Sequence, residues 1–500
     1  MKTISFKWRI SQIFGDNTYT EDIDEKDKIS TLEFDKTGDY IAVGDNNGRV
    51  ILFQSDNIKN QSSSESDISD REIDIEESEN GSEKEKEIED EFIKKKKKQR
   101  LKYKFYTEFQ SHEASFDYIK SLEVSEKINK IQWIKRRSQS HLLLTTNDQS
   151  IKLWKIITKK IRSFDNINSK KEQKNLNSEN NFHFPKMEVT QVEKKSTNTK
   201  IYGDAHVYNI NSISLSCDDE TFISSDDLRI NLWNLERSDK AFNIVDIKPE
   251  NIKQLSEVIT CSQFHPSECS EFIYSTSKGI INYADLRQGS KCNESVRRFQ
   301  DVKNLEKETF FDEIVSNITD IKFSPCGRYI LSRDFTSLKV WDLNMENQPL
   351  STFYFHDFSH NRFNELYESD YIFDRFKCNW SGDGKYAMTG SYEDYYYIFD
   401  WKKNKGMLVD CSKTTTVYSE FYDANSEPNN ENGIFENSEN NNKLSYNSEK
   451  INLRKKILDL SFNPNNSFLA VAATNILYLF TGDEYKNQQS EKQNQNEILM

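Results

Sequence analysis

The sequence predicts an all-β protein: one repeated strand unit arranged in a ring and interrupted by polar insertions. Three observations carry that expectation. A segment of one design, 24 to 27 residues long, occurs seven times in the 500 residues. Each copy opens with alternating apolar residues, breaks at a polar corner, resumes with a short apolar run, turns at Asp, Asn, Ser or Gly, and ends on an aromatic. Between some copies lie stretches too poor in large apolar residues to offset the entropy of ordering them. Period-two alternation bounded by turn residues marks half-buried antiparallel strands.

The clearest copy is AHVYNINSISLSCDDETFISSDDLRINLW, residues 205–233. Ile213 and Leu215 share one face of its first strand. Phe222 and Ile223 form the second, Ser225-Asp226-Asp227 the turn, and Ile230 and Leu232 the third, which ends on Trp233. In chain order the seven copies are residues 29–53, 128–154, 210–233, 258–283, 318–341, 373–399 and 457–480. Three strands in this length leave room for a fourth. Four strands per unit of about 40–45 residues make the blade of a WD-type β-propeller, and seven blades can close a ring. The expected fold is thus an all-β, seven-bladed WD-type propeller over residues 1–480, with disordered acidic/Lys-rich and Asn-rich insertions.

The closing aromatics are Phe53, Trp154, Trp233, Tyr283, Trp341, Phe399 and Phe480, and their spacing places the insertions. The long steps of 101, 79 and 81 residues contain the low-complexity runs, about 55–98, 159–200 and 424–450. These read as loops or hairpin tips carrying disorder. Residues 481–500 read as a flexible tail. Residues 6–14, FKWRISQIF, have strand character and precede the first copy. In a ring the ends must meet, so this run is expected to join the blade holding residues 457–480 and hide its edge.

Composition narrows the function. The formal net charge is −14, which argues against nucleic acid as a partner because a binder needs a basic face. Residues 55–91 hold 15 Asp/Glu against 4 Lys/Arg, and residues 94–104 then carry +8. The two runs nearly cancel, so the body is itself acidic and suits basic partners. The Lys94–Lys98 run reads equally as a nuclear-localisation patch or a solvated linker. No apolar run approaches a membrane span and MKTISFKWRI lacks a signal-peptide core, so no membrane association is expected. The seven cysteines are scattered and odd in number, with no C-x-x-C. Free thiols in a reducing compartment, cytoplasmic or also nuclear, are the expectation rather than a disulfide framework.

Catalytic signatures are absent: no G-x-S-x-G, H-E-x-x-H, Walker A or G-x-G-x-x-G follows a strand. No cofactor, metal or catalytic residue is expected. His356 and His360 are four apart but lack a third ligand, and a packed or solvated pair is the favoured reading. His206 precedes a blade strand and is expected to bond Asp226 or Asp227; His112 sits in the same relative place. Turn acids such as Asp148, Asp226, Asp227 and Asp334 can fix a corner by accepting backbone N–H groups. Two in a row leave one, Asp227, without an obvious structural task. The connections 109–129, 242–257, 308–314 and 354–368 mix acids with aromatics. In a propeller they gather on one face, suited to a partner with basic and apolar residues.

Long runs of this chain resemble the WD-repeat regulatory B subunits, fifty-five-kilodalton class, of protein phosphatase type 2A. The strongest are SFDYIKSLEVSEKINKIQW and the 205–233 copy; others include AFNIVDIKPENIKQLSEVIT and GRYILSRDFTSLKVWDLNMENQP. The resemblance implies a non-catalytic propeller that binds helical-repeat scaffold (A) and catalytic (C) subunits in a heterotrimer, and recruits phosphoprotein substrates with basic and apolar docking segments. The scaffold contact it implies is a long hairpin of the second blade, after Trp154, where this sequence matches poorly. On the substrate side it implies Glu25, Glu126, Lys127, Tyr208, Asp227, Leu255, Phe310 and Phe311, with Asp357 and Phe358 as further matches. Ser125, Asn46 and Asn209 depart from the pattern, standing where the family has an acid, a lysine and a histidine. The alternative class is a generic WD-repeat adaptor, for example for a ubiquitin ligase; a propeller enzyme is the third.

Overall fold

A computed structural model describes residues 8–15, 25–56, 102–118, 121–164, 187–289, 291–292, 297–301, 310–355, 362–411, 452–465 and 468–482. Among these residues the strands form seven four-stranded antiparallel sheets and one two-stranded hairpin. The seven-bladed propeller is the fold, with strands a to d running outward from the axis. Blade 1 is Ile29–Phe34, Tyr40–Asp45, Arg49–Ser55 and Tyr103–Gln110. Blade 2 is Lys130–Ile134, His141–Thr146, Ile151–Phe164 and Met187–Tyr202. Blade 3 is Ser212–Leu215, Thr221–Ser225, Arg229–Asn234 and Arg237–Asp246. Blade 4 is Ile259–Phe264, Glu271–Thr276, Ile281–Asp285 and Arg297–Phe299. Blade 5 is Asp320–Phe323, Tyr329–Arg333, Ser337–Asp342 and Ser351–Tyr354. Blade 6 is Cys378–Trp380, Tyr386–Gly390, Tyr395–Asp400 and Lys405–Asp410. Blade 7 is Ile457–Phe462, Phe468–Ala473 and Ile476–Gly482, with Trp8–Phe14 as its outer strand.

The hydrophobic core lies between blades. Ile223 and Ile230 of blade 3 pack on Phe264, Phe272 and Tyr274 of blade 4. Ile273 and Phe299 of blade 4 pack in turn on Ile330 and Trp341 of blade 5. A b strand is therefore covered on both faces, and Tyr40–Asp45 and Phe468–Ala473 are buried at every position. That is why the second strand of each copy reads as an apolar run and only the first and third alternate.

The a strands line the axial channel with charge. Lys130, Asp320, Lys322 and Lys377 border one cavity there. Asp459 acts electrostatically on Glu33 and Lys130, and Glu33 accepts from Gln132 Nε2 at 2.8 Å. Burial pushes the Glu33 carboxyl up to about 7, against the pull of Lys130 and Lys322. A carboxyl raised in the fold favours the fold when protonated. Below pH 4.5 it carries no penalty; a penalty grows between pH 4.5 and about 7, where the folded carboxyl resists ionising, and is constant above that. Glu33 keeps partial access to the channel, so the cost is about 1–3 kcal/mol rather than the full value of the shift. Glu33→Gln should therefore stabilise the protein above pH 7 and leave it unchanged below pH 4.5, read by urea unfolding at both ends.

Three expectations are corrected or sharpened. Cys217 and Cys269 are disulfide-bonded, where free thiols were expected; Cys261, Cys292, Cys326, Cys378 and Cys411 are free. The pair is 52 residues apart, yet each cysteine occupies the a–b corner of its blade. Repetition of the blade brings the corners side by side with Cα atoms 5.2 Å apart, which local spacing cannot reveal. The insertion expected at 159–200 is strand at both ends: Ile151–Phe164 and Met187–Tyr202 pair residue by residue as a long hairpin. Its ladder satisfies the backbone without a large apolar core. Finally, residues 109–110 and 242–246, read as connections, belong to the outer strands Tyr103–Gln110 and Arg237–Asp246. The insertions 57–98 and 424–450 and the tail 483–500 lie outside the described residues.

Candidate functional site

In every blade the b–c turn and the connection from strand d to the next strand a emerge at one end of the disc. The a–b and c–d turns emerge at the other. This topology puts Glu25, Glu126, Lys127, Tyr208, Asp227, Leu255, Phe310 and Phe311 on one face. Asp357 and Phe358, with His356 and His360, lie outside the described residues.

The b–c turns show how that face is anchored. In blade 3, Asp226 is fully buried and accepts from the Leu228 and Arg229 amides at 2.8 and 2.7 Å. His206 Nδ1 lies 2.9 Å from Asp226, its Nε2 lies 2.6 Å from Ser224 Oγ, and Trp233 Nε1 donates to that same Oγ at 2.8 Å. Burial alone would raise the Asp226 carboxyl, but the donors from His206 and the turn hold it below the usual carboxylate range. The chain Asp226–His206–Ser224–Trp233 ties turn, connection and core together. Blade 2 runs a variant in which Trp154 Nε1 donates to Ser111 Oγ at 2.9 Å and Asn147 takes the place of the aspartate. His112 there is buried and pushed down to about 3, by burial first and then by Lys152.

Asp227 has a structural task after all. Its Oδ1 accepts from Asn211 Nδ2 at 2.8 Å, and the same amide reaches Ile259 O of blade 4 at 3.3 Å. Asn129 repeats the device one blade earlier, bonding Asp148 at 2.8 Å and Ile210 O at 3.0 Å. Each asparagine latches its own turn to the next blade. Asp226→Ala should cost about 3–5 kcal/mol because it strands a buried network. Asp227→Asn should cost less than about 1 kcal/mol, since the half-buried amide can still accept from Asn211. Thermal or urea unfolding of both variants checks the contrast.

The expected residues form groups rather than one cluster. Glu25 opens a single turn, Glu25–Asp27, before blade 1; its side chain is exposed, and Asn46 donates to its carbonyl at 2.9 Å. Lys26 links this turn to Glu126 at 3.6 Å. Phe310 and Phe311 begin the short helix Phe310–Val315, with their rings 5.5 Å apart. They meet a second short helix, Phe363–Glu368: Phe311 stacks on Phe363 at 5.6 Å and Phe310 meets Tyr367 at 5.8 Å. Phe310 remains 61% exposed, and Tyr367 and Phe373 beside it are exposed too, so this is an open aromatic patch. Leu255 caps the turn Ile252–Gln254, and Tyr208 is partly exposed on the connection before blade 3. Among the described residues no hydrogen bond, ion pair or ring contact joins these two to the other groups.

Around Lys127, which the resemblance names, stand cations that sequence reading missed, Arg375, Lys377 and Lys456. More than a third of Lys127 is open to solvent. Burial lowers its pKa; Asp148 opposes this, and Arg375, Lys377 and Lys456 add to it. Arg375, from the connection before blade 6, donates to Asn211 Oδ1 at 2.7 Å near blade 3. Lys456 pairs with Asp374 at 2.5 Å. These cations come from widely separated connections, and no local run signals them.

No family model matches the chain. It is 40% identical over 492 residues to the protein phosphatase PP2A regulatory B subunit of Schizosaccharomyces pombe, covering 95% of this chain and 98% of that protein. It is 38% identical over 523 residues to the serine/threonine-protein phosphatase 2A regulatory subunit phr2AB of Dictyostelium discoideum, covering 96% of this chain and 99% of that one. With a seven-bladed propeller matched end to end at this identity, the chain belongs to the family of regulatory B subunits of protein phosphatase 2A.

Proposed function

We propose that this regulator recruits phosphoprotein substrates to a serine/threonine phosphatase heterotrimer through the propeller face described above. The observation that carries the reading is the end-to-end likeness to two phosphatase 2A regulatory subunits, on a chain whose connections gather acids and exposed aromatics on one face. Glu25, Glu126, Lys127, Tyr208 and Asp227 meet the polar part of a docking segment, and Leu255, Phe310 and Phe311 its apolar part. The mechanism is proximity: holding the segment raises the effective concentration of its phosphosite at the neighbouring catalytic subunit.

The scaffold contact falls to the blade 2 hairpin. Ile151–Phe164 and Met187–Tyr202 run out on the c–d side, opposite the docking face, and carry exposed Ile157, Ile161 and Val192. Scaffold and substrate then approach from opposite ends of the disc. The complex works in the cytosol and the nucleus. Affinity purification of the full chain from its own cells tests the reading. Recovery of a helical-repeat scaffold and a phosphatase catalytic subunit is the expected result. Recovery of ubiquitin-ligase subunits without a phosphatase would overturn it.

A further inference from the structure

The seam between blades 3 and 4 is bonded from one face of the disc to the other. At the proposed docking face Asn211 Nδ2 donates to Ile259 O at 3.3 Å, and the Ile259 amide donates to the Asp227 carbonyl at 2.8 Å. Along the a strands, Ser212 Oγ accepts from the Ser262 amide at 2.9 Å and Ser214 Oγ from the Phe264 amide at 3.0 Å. At the opposite face Ser216 Oγ donates to Cys269 O at 3.4 Å, and the Cys217–Cys269 bridge ends the row. Other seams close at that face by hydrogen bonds. Asn463 Nδ2 of blade 7 donates to Gly38 O of blade 1 at 3.0 Å, and Arg137 of blade 2 donates to Asp218 O of blade 3 at 2.8 Å. His265 Nε2 of blade 4 lies 3.1 Å from Gly327 O of blade 5. Among the described residues, a covalent bond crosses the blade 3–4 seam alone.

The rest of the seam makes this bond dispensable, and its surroundings make it reachable. The serine row joins the two a strands without it, as hydrogen bonds alone join the corners elsewhere. A reduced propeller therefore keeps its fold and keeps the two thiols side by side. Both cysteines are half-buried, beside exposed Asp218 and Glu268, so small oxidants and dithiols have access. Cys261, Cys292, Cys378 and Cys411 are buried, and exposed Cys326 is unbridged. In the cytosol and nucleus proposed above, thiols are kept reduced, and a bridge that forms there is transient and reports the redox state.

We propose that Cys217 and Cys269 are a redox modification site, a clasp on the blade 3–4 seam that hydrogen peroxide closes and a dithiol opens. One thiolate displaces hydroxide from the peroxide and becomes a sulfenic acid. The second thiolate then displaces hydroxide from that sulfur. The two hydroxides take up the two thiol protons, so two thiols and one peroxide become a disulfide and two waters. Opening consumes a dithiol, which leaves as a disulfide. The inference rests on the cytosolic and nuclear placement and is independent of what docks on the other face. Closed, the bridge spans 52 residues and restricts the unfolded chain, so the ring should resist heating better when oxidised.

The test uses the purified full-length protein, reduced with dithiothreitol and then treated with hydrogen peroxide. Alkylation after denaturation should label seven cysteines in the reduced form and five in the oxidised form, and peptide mapping should find Cys217 joined to Cys269. Reduction should lower the melting temperature by about 2–4 °C. Cys217→Ser and Cys269→Ser should each abolish that difference. The difference is taken between two buffers within one variant, so the cost of the substitution itself cancels. Amide exchange on reduction should quicken more at Phe264, near the clasp, than at Ile259, at the far end of the same strand, which separates a local opening from a general loss of stability.

Seven labels after peroxide, a bridge to Cys326 instead, or melting indifferent to reduction would each overturn the proposal. So would a bridge that survives dithiothreitol in the folded protein, since that is a fixed structural bond. In the protein's own cells, quenched with acid and alkylated, the bridged fraction should rise with a peroxide pulse and fall after it. A constant fraction would overturn the switch. None of these outcomes depends on whether phosphatase subunits co-purify, so the two readings fail separately.

Discussion

A chain shortened to begin at Gly15 should melt at a lower temperature and self-associate. Trp8–Phe14 is the outer strand of blade 7 and pairs antiparallel with Ile476–Gly482, from Trp8 opposite Gly482 to Phe14 opposite Leu477. Removing it bares the edge of Ile476–Gly482, with a row of unpaired amides and carbonyls that templates association. It also removes Trp8, which is 6% exposed and packs 5.8 Å from Phe462. Phe14, whose ring lies 4.5 Å from Phe53 of blade 1, goes too. Losing one buried tryptophan costs about 3–5 kcal/mol by itself. At this chain length that lowers the melting temperature by about 3–5 °C, before the open edge is counted.

Other bonds at the seam survive the truncation. Asp459 Oδ2 of blade 7 accepts from the Leu32 amide of blade 1 at 3.0 Å, and Ile29 N–H donates to Thr474 O at 2.7 Å. The prediction is therefore a destabilised, association-prone propeller rather than an unfolded chain. Calorimetry and light scattering of the truncated protein measure both effects. Trp8→Ala isolates the packing part, since it leaves the backbone ladder in place. Thermal unfolding indistinguishable from the intact chain would sink the closure argument.

The closing strand was legible because a ring imposes a demand that FKWRISQIF alone could meet. The a to c strands were legible for a related reason: channel, core and turn impose different periodicities on neighbouring stretches. The outer strands obey neither rule. Arg237–Asp246 has exposed and half-buried positions in irregular order up to buried Ile244 and Val245, so its first residues read as loop and Phe242–Asp246 as connection. The blade 2 hairpin hid for the opposite reason, since a ladder that supports itself needs no apolar signature. At the proposed docking face, topology alone places the residues, so the resemblance could name them on separate connections. Their neighbours could not be read. The Asp226–His206 bond and the Asp227–Asn211 latch distinguish two adjacent, identical residues by direction alone. Arg375 lies 164 residues from the asparagine it reaches.

That latch decides how the docking role of Asp227 must be tested. In the assembled phosphatase, Asp227→Lys should lower kcat/KM for substrates with basic docking segments by on the order of a hundredfold. Reversal turns an attraction into a repulsion, and losing a closely held charge partner costs about 2–5 kcal/mol. Yet the lysine also cannot accept from Asn211, whose carbonyl oxygen holds Arg375. A loss of capture could then follow from a displaced Arg375. Asp227→Asn separates the causes, since its amide oxygen keeps the bond to Asn211 while the charge is gone. If the charge meets the substrate, the Asn variant should lose about tenfold, the Lys variant more, and both should still assemble with scaffold and catalytic subunits. Substrates without a basic segment should be dephosphorylated as before. A wild-type rate for the Asn variant beside a crippled Lys variant would assign the defect to the latch. Undiminished rates in both would remove Asp227 from the docking face.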